Sequence, residues 1–410
     1  MRVNQEINLR RELLLRILSA ATFLIFFQAY MVAPLIPQLS VAFGVSSQTI
    51  GLLVPAYMIP YGFATLFYGL LADRFGRRRI MLASLGAFVA LILLTATAQS
   101  ARQLIAWRLL TSLGASGVVP LALTLMGALF PYEQRGRPLG WLFGAMAGGM
   151  AFGSTFGVIL EPWLGWRMLF VSTGLISFLV GLFLISHRDL LGEAPVAPNK
   201  TLGQVFSGYW ALLTNIRGLR TYGYVFLNSI FHSGVFTWLG LYFERRYGLG
   251  ELGIGLALLG YGLPGFVLGP IIGHAADRWG RRWLIASGII IAALAAAALI
   301  PAIPVWQAAL AVTALSLGYD MTQPLLAGIV TALGGKQGGQ VMGLNVFVLF
   351  TGFGLGSLLF GEIRQHGFTT ALLAFSAIQF IAGLMAFALF RREIRSTPAD
   401  SRKQPPNSSV

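Results

Sequence analysis

No cysteine occurs among the 410 residues, which excludes disulfides and thiolate metal sites. Charge is scarce too. Asp, Glu, Lys and Arg make 10% of the chain, against about 25% in soluble domains. Acidic residues are the scarcest, 14 against 29 basic. The four His show no H-E-x-x-H spacing, so neither a metal site nor a cofactor is expected. So little polar material cannot cover the two or so soluble domains that this length would suggest. No nucleophile–base pair or paired carboxylates stand out, and no soluble stretch is long enough to house an active site, so an enzyme is not expected. The net charge of +15 does not point to nucleic acid, because Lys and Arg fall in short segments between apolar runs rather than on a soluble face.

Hydrophobic residues make 56% of the chain and mean hydropathy is +0.74. Apolar segments of about 20 residues, the length that crosses a bilayer, fall at 14–37, 49–72, 80–99, 104–130, 139–161 and 168–186. A second set falls at 219–243, 252–275, 283–303, 306–332, 341–363 and 369–390. The runs are continuous rather than alternating, which favours helices over barrel strands. The expected fold is all-α and integral to the membrane: twelve transmembrane helices in two six-helix halves. Residues 1–186 form the first half, 187–218 a linker carrying Glu193-Ala-Pro-Val-Ala-Pro198, 219–390 the second half, and 391–410 a disordered tail. Residues 202–213 read as a short amphipathic helix at the interface. The first apolar run is too long for a cleaved signal peptide.

Basic residues set the topology. Only Arg102, Arg108, Arg167, Arg245, Arg246 and Arg364, six of the 29, lie outside the terminal segments and the loops on the same side as them. That asymmetry puts both termini in the cytoplasm.

One loop occurs twice. Gly69-Leu-Leu-Ala-Asp73-Arg74-Phe-Gly76-Arg77-Arg78-Arg79 returns as Gly273-His-Ala-Ala-Asp277-Arg278-Trp-Gly280-Arg281-Arg282. Aligned without a gap at an offset of 204, residues 51–79 and 255–283 share 11 identities in 29, including Tyr57/Tyr261 and Pro60/Pro264. The offset is close to half the chain length, so the chain reads as two copies of one unit, a known way to build a transporter.

Twelve spans with this signature after spans 2 and 8 resemble the major facilitator superfamily of secondary transporters. Pro131-Tyr-Glu133-Gln-Arg135-Gly136-Arg137, Gly165-Trp166-Arg167-Met-Leu-Phe170 and the Leu104-x-x-x-Arg108 of span 4 are similar to its twelve-span drug:proton antiporter branch. Span 4 reads Arg108-Leu-Leu-Thr111-Ser112 where that branch has R-x-x-Q-G, and Gly153-Ser154-Thr-Phe-Gly157-Val158 lacks the proline of its span 5 motif. The resemblance implies a bacterial inner-membrane protein, a monomer, handling a small molecule and protons. It also implies that the signature is a conformational latch, formed by Gly69, Asp73, Arg74, Gly76, Arg77 and Arg78 and by Gly273, Asp277, Arg278, Gly280, Arg281 and Arg282. Spans 5 and 8, and spans 2 and 11, would face each other across the halves. The glycines of span 5 (Gly140, Gly144, Gly148, Gly149, Gly153, Gly157) and of span 11 (Gly352, Gly354, Gly356) would then let the halves slide.

Polar residues inside the spans are the site candidates. Asp320 lies about fourteen residues into span 10, too deep for its side chain to reach either surface. A carboxyl there that gains and loses a proton is what a proton carrier needs. His232, in span 7, titrates by type near neutral pH and is the second coupling candidate. Gln28, Tyr57, Tyr61, Arg108, Asn228, Gln323 and Asn345 are polar points on apolar walls and are candidates for a substrate cavity. Each also has a structural reading: a snorkelling Arg108, a packing His232, an Asp320 tied to neighbouring hydroxyls. The expected function is proton-coupled efflux of a small apolar or amphipathic molecule by alternating access. A sugar or metabolite carrier is the rival within transport, and a membrane sensor on a transporter scaffold is the rival of another class.

Overall fold

The computed structural model describes residues 2–129, 136–191, 202–268, 271–272, 281–334, 338–391 and 393. The described residues form helices and turns, with no strand among them. Span 1 is Arg2–Tyr30 continued by Ile36–Phe43, and span 2 is Ser47–Gly51 followed by Leu53–Phe75. Span 3 is Arg77–Thr95, and span 4 is Ala101–Ala115 with Val118–Leu129. Spans 5 and 6 form one helix, Gly136–Ser186, broken only at Gly165. A short helix, Leu202–Thr214, precedes span 7, Ile216–Tyr247. Span 8 opens with Glu251–Leu258 and resumes at residue 263. Spans 9 to 12 are Arg281–Ala297, Val305–Gly334, Gly338–Arg364 and Phe368–Leu389.

Eight helical stretches among the described residues are long and apolar enough to cross a membrane, one of them the double-length Trp141–Ser186. Span 9 is short at 17 residues. Span 7 is held down in hydropathy by Asn228 and His232 at its centre, and 20 of its residues are buried. Large apolar side chains stand outward instead on span 6 (Leu175, Phe178, Leu179, Leu182) and on span 12 (Leu373, Ile381, Leu384). Exposed apolar area on that scale belongs against lipid.

Helix ends follow local chemistry. Ser46 accepts from the Thr49 N–H at 3.2 Å, Ser100 from Gln103 at 3.3 Å and Asn215 from Arg217 at 2.9 Å. Each satisfies a donor that a helix start leaves without an intrahelical partner. Between spans 5 and 6 the sequence suggests a loop. The chain turns there on one residue, Gly165, at φ 73°, a conformation open to glycine because it has no Cβ.

Most of the glycine stripe of span 5 serves span 1 rather than the seam between halves, contrary to the expectation, although Gly148 also reaches Phe266 of span 8. A Cβ on Gly149, Gly153 or Gly157 would meet Phe23, Phe27 or Met31 of span 1. Likewise Gly352 and Gly356 of span 11 receive Phe226, Ser229 and Ile230 of span 7. Lipid is as apolar as the helices, so close backbone approach and dispersion hold such pairs together. The seam uses glycines of span 8 and, from the expected span 11 stripe, Gly354. Gly255 and Gly262 of span 8 meet Thr155, Ile159 and Ala151 of span 5, and Gly354 of span 11 meets Ile59 of span 2.

Spans 2 and 11 touch at both ends. At the end away from the signature loop, Gln48 donates to Glu362 and accepts from Arg364, both at 3.1 Å. At the signature end, Tyr209 of the short helix packs with Leu66, Tyr222, Val330, Val341 and Leu344. The short helix thus bridges span 2 and spans 7, 10 and 11. Residues 192–201 and 394–410, which take in the middle of the expected linker and most of the expected tail, lie outside the described residues.

Candidate functional site

Span 1 breaks at its middle. Its first helix ends at Tyr30, Pro34 lies in the short turn that follows, and Pro37 opens the next helix. A helix end leaves carbonyls without intrahelical donors. Arg108 supplies them: its two terminal nitrogens donate to the Gln28 and Ala29 carbonyls at 3.3 Å each. The guanidinium lies 4.2 Å from the Tyr57 ring centroid, and the side chain is 0% exposed. Arg108 therefore does not snorkel. It caps the negative end of a helix dipole and stacks on an aromatic face.

From Tyr57 a run of rings crosses the molecule. Tyr57 stacks with Tyr61, Tyr61 with Phe350 at 4.3 Å, Phe350 meets Phe353, Phe353 meets Tyr319, and Tyr319 meets His232 at 4.4 Å. A second limb runs from Phe350 through Phe26 and Tyr30 to Phe236 and Tyr261, the last pair stacked at 4.2 Å. The rings come from spans 1, 2, 7, 8, 10 and 11, so both halves build one aromatic centre.

The centre keeps its polar tips unpaired. Both side-chain polar atoms of Gln28, both ring nitrogens of His232, the Tyr57 and Tyr61 hydroxyls, Gln323 Nε2 and Asn345 Oδ1 are buried without a hydrogen-bond partner among the described residues. Buried polar groups are nearly always satisfied in folded proteins. Such a set around a ring-lined centre is what a polar ligand on an apolar body would complete. Asn228 stands apart from this group. It donates to Thr322 at 2.7 Å and accepts from Gln379 at 2.8 Å, tying spans 7, 10 and 12 together. Its amide is thus already engaged within the helix bundle.

Asp320 lies at the edge of the second limb. It accepts from Ser316 at 3.1 Å and from the backbone N–H of Gly265 in span 8. His232 reaches Tyr319 rather than the carboxylate, so the two coupling candidates are neighbours across one ring and not a bonded pair. Ser316, Tyr30, Tyr261, Tyr319 and the Phe350 junction were missed from sequence. Gly260-Tyr-Gly262 within one span was the available signal that span 8 breaks there.

Of the signature, Gly76 ends span 2 at φ 90° with its N–H on the Ala72 carbonyl at 3.0 Å. Arg74 stacks over Phe75, and Arg78 lies 3.9 Å from Asp189. Arg281 approaches Gly328 of span 10, and Arg282 stacks over Trp283. The Asp73 side chain and residues 273–280, hence Gly273, Asp277, Arg278 and Gly280, lie outside the described residues. A groove of about 550 Å³ sits beside the short helix, lined in part by Ser207, Asn215 and Leu333, away from the aromatic centre.

The family model of the Major Facilitator Superfamily matches residues 18–254 and 245–410. The chain belongs to that superfamily. An uncharacterised MFS-type transporter, YwfA, of Bacillus subtilis strain 168 is 25% identical over 370 residues, which is 88% of each chain. A chloramphenicol resistance protein of Pseudomonas aeruginosa is 24% identical over 346 residues, 81% of this chain and 78% of that one. The crystal structure of a D-xylose–proton symporter superposes with a TM-score of 0.76 at 15% identity, over 92% of this chain and 97% of the other. That likeness shows the twelve-helix fold. This member of the superfamily is a multi-pass membrane transporter of small molecules and not an enzyme.

Proposed function

We propose that the chain exports a small aromatic or amphipathic molecule in exchange for protons, as a member of the drug:proton antiporter branch. The aromatic centre carries this reading: rings from both halves, a set of unpaired amide, hydroxyl and imidazole groups, and one carboxylate at the edge. Rings bind rings by stacking, and unpaired buried donors and acceptors select the polar substituents. An anionic substrate would find little cationic support there, since the Arg108 guanidinium is already engaged. The likeness to a chloramphenicol resistance protein agrees with export of a compound of this kind.

The two halves, 1–186 and 219–390, rock about the centre with both termini in the cytoplasm, and the repeated signature latches the cytoplasmic side. Asp320 carries the proton and His232 tunes it through Tyr319. Gln28, Tyr57, Tyr61, Gln323 and Asn345 orient the substrate. The protein works as a monomer in a bacterial inner membrane.

Chloramphenicol is the probe for the test. Purified protein should gain thermal stability from it, because a ligand that binds only the folded state raises the melting temperature. Proteoliposomes under an imposed pH gradient should accumulate it uphill. Asp320→Asn should abolish uphill accumulation and keep downhill exchange. Uphill accumulation with unchanged pH dependence in Asp320→Asn would remove the proton role. Absence of any stabilisation by chloramphenicol or by a panel of neutral aromatic compounds would remove the substrate class.

A further inference from the structure

We infer that Ser316 is a positioning residue through which protonation of Asp320 moves span 8 against span 5. The inference rests on the proton-coupled reading above and adds the element that the proton moves.

The break in span 8 is the starting point. Residues 259–262 leave the helix and Gly262 takes φ 84°. Proline alone does not explain the break. Pro264 has its repeat mate in Pro60, which sits inside the unbroken helix Leu53–Phe75 of span 2. The mates of Gly260 and Gly262 at the same offset are Ala56 and Met58. Span 8 thus has two glycines where span 2 has side chains, and span 10 supplies what the break needs.

Backbone donors freed inside a membrane must find partners in the protein. Gly262 N–H donates to Ser316 Oγ at 2.7 Å, and Ser316 donates in turn to Asp320 Oδ2 at 3.1 Å. Gly265 N–H, in the first turn of the resumed helix, donates to the same carboxylate. A Cβ on Gly265 would fall on that carboxylate, so the approach is close. Two backbone donors of span 8 therefore end, directly or through one hydroxyl, on Asp320.

This arrangement is strongest with the carboxylate charged, because hydrogen bonds to an ionised acceptor are about twice as strong as neutral ones. A proton taken from water adds one O–H bond and turns an acceptor into a donor. On Oδ2 it opposes the Ser316 hydroxyl proton. The relay then has to reverse, with Asp320 donating to Ser316 Oγ beside Gly262 N–H and the Ser316 hydroxyl proton turned away from its acceptor. On the other oxygen it weakens the bond from Gly265. In both cases the bonds that support span 8 at its break weaken from charge-assisted to neutral, and release of the proton to water restores them. The groups that face Asp320 are Tyr30 from span 1, Tyr261 from span 8 and its own neighbour Tyr319. From span 7 comes His232, one ring away. None of these side chains is a second acid or a fixed cation, and His232, which titrates by type, is set off from the carboxylate by the Tyr319 ring.

The break faces the other half. A Cβ on Gly262 would stand 2.9 Å from the Ala151 Cβ of span 5, and Phe266 lies beside Gly148. Loosening at 259–265 is delivered to the seam itself.

The chain has no cysteine, so a double-cysteine variant carries spin labels at two chosen points. Leu263→Cys and Phe156→Cys, 42% and 40% exposed, mark span 8 and span 5. In liposomes the label–label distance distribution should change between acid and alkaline buffer. Ser316→Ala should move the midpoint of that change by about one pH unit, in the alkaline direction, because the carboxylate has lost a donor. Ser316→Thr, which keeps the hydroxyl, should return it. Asp320→Asn should abolish the response. An unmoved midpoint in Ser316→Ala overturns the inference, as does a distribution in the parent pair that ignores pH. Uphill transport of chloramphenicol by the same parent liposomes separates that outcome from failure of the proton-coupled reading.

Discussion

The Arg108 guanidinium lies 4.2 Å from the Tyr57 ring centroid while it holds the last carbonyls of the first helix of span 1. Arg108→Met removes charge, cap and stacking together. Thermal or denaturant unfolding in detergent should show a loss of about 2–4 kcal/mol, since hydrogen bonds to charged groups contribute about 1.5–3 kcal/mol each and do not add fully. Arg108→Lys should fall between Met and the parent, because one ammonium cannot present a planar fork to two carbonyls and a ring. Parental stability in both variants would show the helix end to be satisfied in another way.

Span 5 gives a paired comparison. A Cβ on Gly153 would stand 2.9 Å from the Phe27 Cα, whereas one on Gly144 meets nothing within 4 Å. Gly153→Ala should therefore lower stability by about 1–3 kcal/mol, the usual result of overpacking, and Gly144→Ala should not. The measurement is the melting temperature of the two purified variants. Equal values would mean that span 1 can step back from span 5.

Gln48 joins Glu362 and Arg364 of span 11 to the start of span 2. Gln48→Leu keeps the size and removes both bonds. Amide hydrogen exchange over residues 47–53 and 357–364 should quicken by roughly tenfold, as expected when about 1.4 kcal/mol of closure is lost. Unchanged exchange would mean that apolar contacts alone close that end.

Much of the fold was legible. Apolar runs of spanning length marked the spans, the repeated loop marked the two copies, and Gln28, Tyr57, Tyr61, His232 and Asn345 stood out as polar points on apolar walls. What escaped was set by partners distant in sequence. Pro60 and Pro264 sit in matching patterns, yet only span 8 breaks, because Ser316 and Asp320 of span 10 satisfy the donors that the break frees. The span 5 glycines announce a close approach without saying to what, and span 1 rather than span 8 takes the place. Asn228 looks the same from sequence as Asn345. Only the positions of Thr322 and Gln379 show that its amide is already engaged.

A pH effect is expected where span 12 ends. Glu393 receives two bonds at 2.8 Å from Arg217 and one at 2.7 Å from Arg220. Burial pushes its carboxyl up, but the bonds and charges of Arg217 and Arg220 outweigh burial and hold it below its ordinary value. A depressed carboxyl stabilises the fold above its unfolded value, about pH 4, and that contribution disappears as pH falls through the folded value. Melting temperature measured down an acid series should fall, and Glu393→Gln should lose less on acidification than the parent does. Parallel curves would show that the clamp adds nothing to stability.

Trp238 offers a different use of the seam between spans 2 and 11. The chain has nine Trp. Five of them (Trp141, Trp163, Trp210, Trp283 and Trp306) are more than half exposed, whereas Trp238 is 2% exposed. Its indole donates to the Ser357 carbonyl at 3.0 Å, lies under the Arg364 guanidinium at 4.2 Å, and occupies the space that a Cβ on Gly51 or Gly361 would take. Parting the seam would strip all of these neighbours from one fluorophore and wet it, while the outward-facing indoles kept their surroundings. The unlabelled protein thus has a built-in optical gauge, its emission reporting whether the door at that end is shut.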